Sequence, residues 1–199
     1  MTVVRKGEPH VPFDPPPEAD VLVSDDERCA IAVMAADCVP LLMADRKTGA
    51  VAAVHAGWRG TAVGAARAAV DTLQRHFGTT PADLVVAVGP SIGACCYDVG
   101  GELVEAFARA GHERRLIDRW FSARPRSRGA HHTVLCATDT PTLRLDLPAA
   151  NFDQLVLAGV PADQIHLCGL CTASNLNVLY SYRGEGTTTG RLAAAIRKA

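Results

Sequence analysis

Three features of the sequence predict an α/β fold in a single domain. Apolar runs of strand length recur at residues 19–23, 29–35, 39–44, 51–54, 84–88 and 165–168. Segments of helical period stand between them, most clearly at 62–77 and 102–110. No internal repeat and no linker divides the chain, and alternation of this kind is the mark of α/β architecture. With 199 residues, 48% hydrophobic, the chain is long enough to bury one real core.

The elements follow in order. Residues 1–18 form a polar, Pro-rich lead-in expected to run along the surface, and 19–199 form the domain. The 19–23 run (ADVLV) is a short strand, with a Ser-Asp-Asp-Glu turn after it. Runs 29–35 and 39–44 are buried strands flanking Ala36-Asp37-Cys38, and Pro40 suits a strand start or a bulge. A tight turn at 45–49 (DRKTG) leads into VAAVHAGWRG at 51–60, where an apolar strand ends on His55 and glycines turn the chain. Thr61 reads as the N-cap of a helix over 62–77 that Gly78 closes. The 84–88 strand opens into a glycine-rich loop at 89–97, and a helix over 102–110 stops at Gly111, just before His112. Residues 113–142 read as an irregular, Arg-rich surface segment, 143–160 as a short strand and a helix, and 165–168 as a last buried strand. A short helix over 191–198 is expected to close the chain.

Composition excludes several classes. The formal charge is −1 with no basic stripe, which argues against nucleic acid as the main partner. No apolar run is long enough to span a membrane, and the N-terminus lacks the apolar core of a secretion signal. Seven cysteines in such a chain read as mostly reduced, in buried or ligand roles, and point to a cytoplasmic protein.

Chemistry-bearing residues gather at strand ends and in the loops after them, where side chains from separate segments meet. His55, Cys95 and His112 are of the types that ligate zinc, and three such ligands leave the fourth position to water. Their spacing alone makes no metal motif. Cys168 and Cys171 form a CxxC, but it follows a strand and has no second pair, so burial is the favoured reading. Arg59 and Arg183 have the planar cation that matches phosphate, and each reads equally as an exposed arginine. Trp58 reads as a stacking platform or as a packing residue. Asp37 and Cys38 likewise stand open between cleft and core.

Four segments carry a family resemblance: AADCVPLLMAD (35–45), AAVHAGWRGT (52–61), VGPSIGACCYDVG (88–100) and SYR…TTGR (181–191). In this order they resemble the YfiH family, also called laccase-domain or multicopper polyphenol oxidoreductase-like proteins. The resemblance implies a mixed α/β sandwich whose sheets are covered by helices, similar to the catalytic domain of cytotoxic necrotizing factor. It also implies phosphorolysis of purine nucleosides (adenosine, inosine, methylthioadenosine) together with zinc-dependent deamination of adenosine. On it, His55, Cys95 and His112 are the expected metal ligands, with Zn2+ the expected ion and copper the alternative. Asp37, which ends a buried strand as His55 does, is the expected proton shuttle. Arg59, Arg183 and Trp58 are the expected phosphate and substrate contacts. The chain departs from the family pattern at Ala94, Asp98 and Gly184-Glu185, and His10 is the histidine that precedes the 19–23 strand.

Two other readings compete. The fold similarity to the necrotizing factor suggests a cysteine hydrolase, with Cys95 the nucleophile and His112 its base. The older laccase label suggests a copper polyphenol oxidase, although blue-copper sites want His2Cys and a weak axial ligand.

Overall fold

The structure is a computed structural model, and it describes residues 1–6, 18–122 and 143–199. His10 and residues 123–142 therefore lie outside the described residues. The strands are β1 (Thr2–Val4), β2 (Val21–Ser24), β3 (Ile31–Ala35), β4 (Val39–Asp45), β5 (Val51–Ala56), β6 (Leu84–Val88), β7 (Phe121–Ser122), β8 (Arg144–Leu145), β9 (Ile165–Leu167) and β10 (Leu192–Ile196). The helices are α1 (Trp58–Ala62), α2 (Ala65–Phe77), α3 (Gly101–Arg109), α4 (Arg114–Trp120), α5 (Leu147–Leu157) and α6 (Tyr182–Glu185).

A six-stranded mixed sheet runs in the order β1-β2-β5-β4-β6-β9. Its outer pairs, β1 with β2 and β6 with β9, are parallel, and the inner pairs are antiparallel. The central strand β5 is buried on both faces, which is why its sequence is a continuous apolar run rather than an alternation. Ala52, Val54 and Ala56 face a large core shared with α2, α3, α4 and α5. Val51 and Ala53 face a second core, completed by Ile31 and Val33 of β3 and by Ala194 and Ile196 of β10. Helices cover one face, and the antiparallel ribbon β3–β10 covers the other. The sandwich implied by the family resemblance is therefore present, with one cover built of strands.

Four expectations change. The lead-in begins inside the sheet, because Thr2–Val4 pair with Leu22–Ser24. The helix expected over 62–77 is two helices. Gly64 at φ 83 breaks it, and Thr61 is buried inside α1 instead of capping α2. There Thr61 accepts a hydrogen bond from Asn151 on its hydroxyl (2.9 Å) and one from Gln154 on its carbonyl (2.8 Å), which docks α1 on α5. Residues 114–122, expected to be irregular, form α4 and β7 around the fully buried Trp120. The closing helix over 191–198 is the strand β10. Its alanines favour a helix only weakly, and pairing Leu192–Ile196 against Ile31–Ala35 overrides that preference by covering an otherwise open sheet face.

Candidate functional site

The strand ends at one edge of the main sheet converge on a cavity of about 460 Å³. β3 ends there, β4 starts there, and the loops after β5 and β6 turn there. The lining includes Asp37, Cys38, His55, Trp58, Arg59, Tyr97, Arg183 and Arg191.

His55 sits opposite Pro40 in the β4–β5 register, so Cys38, two residues before Pro40, lies beside it. The Cys38 thiol and the His55 ring both flank Gly57. The close approach depends on Gly57. A Cβ there would lie 2.9 Å from the Cys38 sulfur and 3.8 Å from the His55 ring, so a side chain would push the two apart. The other side of the imidazole is held by Asp20, whose carboxylate meets Nδ1 at 2.9 Å. Cys38 first and Asp20 second raise the His55 pKa to about 9 against the opposing cost of burial.

Two arginines stand over aromatic rings in the cavity. The Arg59 guanidinium lies 4.4 Å from the Trp58 ring centroid, and the Arg183 guanidinium lies 5.2 Å from that of Tyr97. Stacking on a π face orients a guanidinium while leaving its N–H fork free for an anion. Arg183 also donates to the Asp98 carbonyl at 3.0 Å, which fixes its reach. Burial keeps the Tyr97 phenol above its ordinary range and so neutral.

Asp37 does not have the free carboxylate that a proton shuttle needs. Its Oδ1 accepts from the Thr172 hydroxyl and its Oδ2 from the Arg183 backbone N–H, both at 2.6 Å. Its φ of 88 puts it in the left-handed region that Asp tolerates better than most residues. It clamps the 172–174 turn and the start of α6, where the Ser181 side chain caps the helix through the Gly184 N–H. Asp37 thus anchors the backbone at Arg183.

The expected ligand triad is not assembled, because each member has its own partners. His112 donates from Nε2 to the Ala62 carbonyl at 2.8 Å, satisfying an orphan acceptor at the end of α1. Its ring packs against Phe107 and Trp120 at centroid distances of 5.5 and 5.1 Å. Cys95 lies with Cys171 and Ser174 behind the cavity. Among the described residues the one group of three such donors within 4.8 Å is Cys95, Cys96 and Cys171, without His55 or His112. Among the described residues Cys95 and His112, the dyad of the cysteine-hydrolase reading, are each held by other partners. That cluster also lacks the imidazoles of a blue-copper site.

The neighbouring Cys171 sulfur and burial push the Cys95 thiol up. Cys171 is lowered, chiefly by Cys95 and further by Ser174 and the Gly93 N–H. Its CxxC partner Cys168 is exposed, against the expected burial, and lies outside that cluster.

Sequence reasoning missed Cys38 as the partner of His55, along with Asp20, Tyr97 and Arg191. The tight turn at 45–49 was the available signal for Cys38. It dictates an antiparallel β4–β5 pair, and its register carries Cys38 to the level of Gly57.

The mixed-sheet sandwich thus presents one cavity lined by Cys38, His55 and two ring-backed arginines. The chain belongs to the family described as multi-copper polyphenol oxidoreductase laccase, whose model matches residues 1–199. It is 35% identical over 177 residues to a purine nucleoside phosphorylase of Bacteroides thetaiotaomicron, covering 89% of this chain and 60% of that protein. It is 37% identical over 172 residues to adenosine deaminase RL5 of an unknown prokaryotic organism, covering 86% and 59%. Among solved structures it is similar to Bacillus licheniformis YfiH, with a TM-score of 0.76, 32% identity and coverage of 90% of this chain and 61% of that one. YlmD of Geobacillus stearothermophilus matches with a TM-score of 0.71 and 34% identity, over 90% and 60%. The chain thus spans about 60% of the length of the curated relatives it matches. Among the described residues no helix is long and apolar enough to cross a membrane.

Proposed function

We propose that this chain binds a purine nucleoside and phosphate in the cavity, cleaves the glycosidic bond by phosphorolysis, and deaminates adenosine at the same site. The observation that carries this reading is the pair of ring-backed arginines facing the Cys38–His55 pair across one pocket. The names of the relatives support both activities.

In phosphorolysis a phosphate oxygen bonds to the anomeric carbon as the bond to the purine nitrogen breaks. Arg59 and Arg183 hold the phosphate and offset its charge in a half-enclosed site, where such contacts count for more than in water. Asp37, through the Arg183 backbone N–H, keeps one of these cations in place. Trp58 and Tyr97 hold the guanidinium planes and so fix the direction from which phosphate approaches.

The family implies zinc, and the donor chemistry here fits it. Cys38 and His55 are the donors, and Asp20 on Nδ1 leaves the other ring nitrogen for the ion, the usual carboxylate–histidine arrangement. Bound there, zinc would supply Lewis acidity and an acidified water, with Cys38 and His55 holding the ion. Cys38 and His55 are two of the three or four donors that zinc takes.

Incubation with adenosine tests the proposal. With phosphate, adenine and ribose 1-phosphate are expected, and without it, inosine and ammonia. Unchanged adenosine in both arms sinks the reading. Replacing Arg59 or Arg183 by Ala is expected to raise the KM for phosphate by about tenfold, at the low end of a charged hydrogen bond because both side chains are partly in water. An unchanged phosphate KM in both variants removes them from the site. After equilibration with zinc and dialysis, Cys38→Ser is expected to lose the metal and Cys95→Ala to keep it, read by elemental analysis. The reverse pattern returns the donor role to Cys95.

A further inference from the structure

We propose that Cys95 and Cys171 are a thiol pair that oxidises to an intramolecular disulfide, a modification site outside the nucleoside pocket. Two segments distant in sequence run side by side here. Ser91 donates to the Leu170 carbonyl at 3.3 Å, and Thr172 donates to the Ser91 carbonyl at 3.0 Å. This backbone pairing brings Cys171 to the loop after β6. The Cys95, Cys96 and Cys171 sulfurs lie within 4.8 Å of one another. Cys96 is itself disulfide-bonded, which leaves Cys95 and Cys171 as the free thiols of the group.

Both of these sulfurs crowd the open side of Gly93, where a Cβ would meet Cys95 Sγ at 3.2 Å and Cys171 Sγ at 3.5 Å. The Gly93 N–H donates to Cys171 Sγ at 3.2 Å and so fixes the position of that sulfur beside Cys95, as the attacking one. Cys95, half-buried beside Ser174, is the resolving thiol.

With hydrogen peroxide as oxidant the step balances. The Cys171 thiolate attacks one peroxide oxygen and the O–O bond breaks. The departing hydroxide takes up the proton that Cys171 released and leaves as water. The resulting sulfenic acid is attacked by Cys95. The S–S bond forms, and the S–O bond breaks. The hydroxide leaving Cys171 takes the Cys95 proton as the second water. Two thiols lose two electrons, and one peroxide gains them. The new link ties the 93–97 loop to the 171–174 turn, directly behind Tyr97 and the Thr172 that Asp37 holds.

The test treats the full chain with graded hydrogen peroxide, blocks remaining thiols, and maps peptides by mass spectrometry without reduction. A Cys95–Cys171 cross-linked peptide is expected, lighter than its parts by two hydrogens and lost on adding dithiothreitol. Cys168→Ser is expected to form the same link and Cys95→Ser to lack it. A Cys168–Cys171 link overturns the pairing. So does stepwise addition of oxygen to Cys171 with no cross-link. The map of the unmodified chain decides the matter even where a variant folds poorly.

Discussion

Asp37→Asn is expected to lower phosphorolysis and deamination together, by about tenfold to a hundredfold, the worth of one hydrogen bond to a charged group. The backbone should persist, since Asn tolerates the left-handed conformation that Asp37 adopts at φ 88. The change falls on the side chain. Asp37 accepts two bonds at 2.6 Å, from the Thr172 hydroxyl and the Arg183 N–H. Asn offers one oxygen and turns an NH2 group toward the other partner. The Arg183 segment then loses either its anchor or the charge that strengthens it, and both reactions use the cavity that Arg183 lines. The expected kinetic signature is a higher phosphate KM in phosphorolysis with a parallel fall in deamination. A shuttle at Asp37 would behave otherwise, cutting deamination by about 10²–10⁴ while sparing phosphorolysis. Selective loss of that kind, measured on the purified variant, would restore the catalytic role.

Trp120→Ala is expected to destabilise the chain by about 3–5 kcal/mol, the usual cost of emptying a large core site. Trp120 is fully buried, and its Nε1 donates to Asp153 on α5 at 2.9 Å. Its ring meets Phe107 of α3 edge-on at 5.8 Å, and His112 at 5.1 Å. Truncation removes the contact that binds α3, α4 and α5 into one layer, and it leaves a buried carboxylate with one partner fewer. Trp120→Phe keeps most of the packing and should cost about 1 kcal/mol for the lost hydrogen bond. Denaturant titration of both variants gives the comparison. Equal midpoints for Trp120→Ala and the parent chain would mean that this layer lies outside the cooperative unit.

The cavity was legible in outline. His55 at a strand end, Trp58-Arg59 after it and Arg183 in the last motif all line it, as their positions beside turning loops suggested. Their chemistry was less legible. Reading His55, Cys95 and His112 as one ligand set took residues of the right type from three segments without knowing which segments adjoin. The β4–β5 register gives His55 the neighbour Cys38, while His112 spends its Nε2 on the Ala62 carbonyl. Asp37 lines the cavity, and its bonds with Thr172 and Arg183 were not legible because those residues reach it only through tertiary contacts.

The sequence by itself determined the α/β class, the buried central strands and the edge where chemistry gathers. These follow from local patterns: β5 is apolar without alternation because both its faces are covered, and glycines stand where the chain must turn. Only the tertiary structure decided that the alanine-rich end is β10 rather than a helix, that Cys171 belongs with Cys95 rather than Cys168, and that Cys38 belongs with His55. Each of these outcomes depends on which distant segment lies alongside. Weak local preferences, a few tenths of a kcal/mol for an alanine strand, give way when pairing covers an open sheet face or closes a backbone ladder.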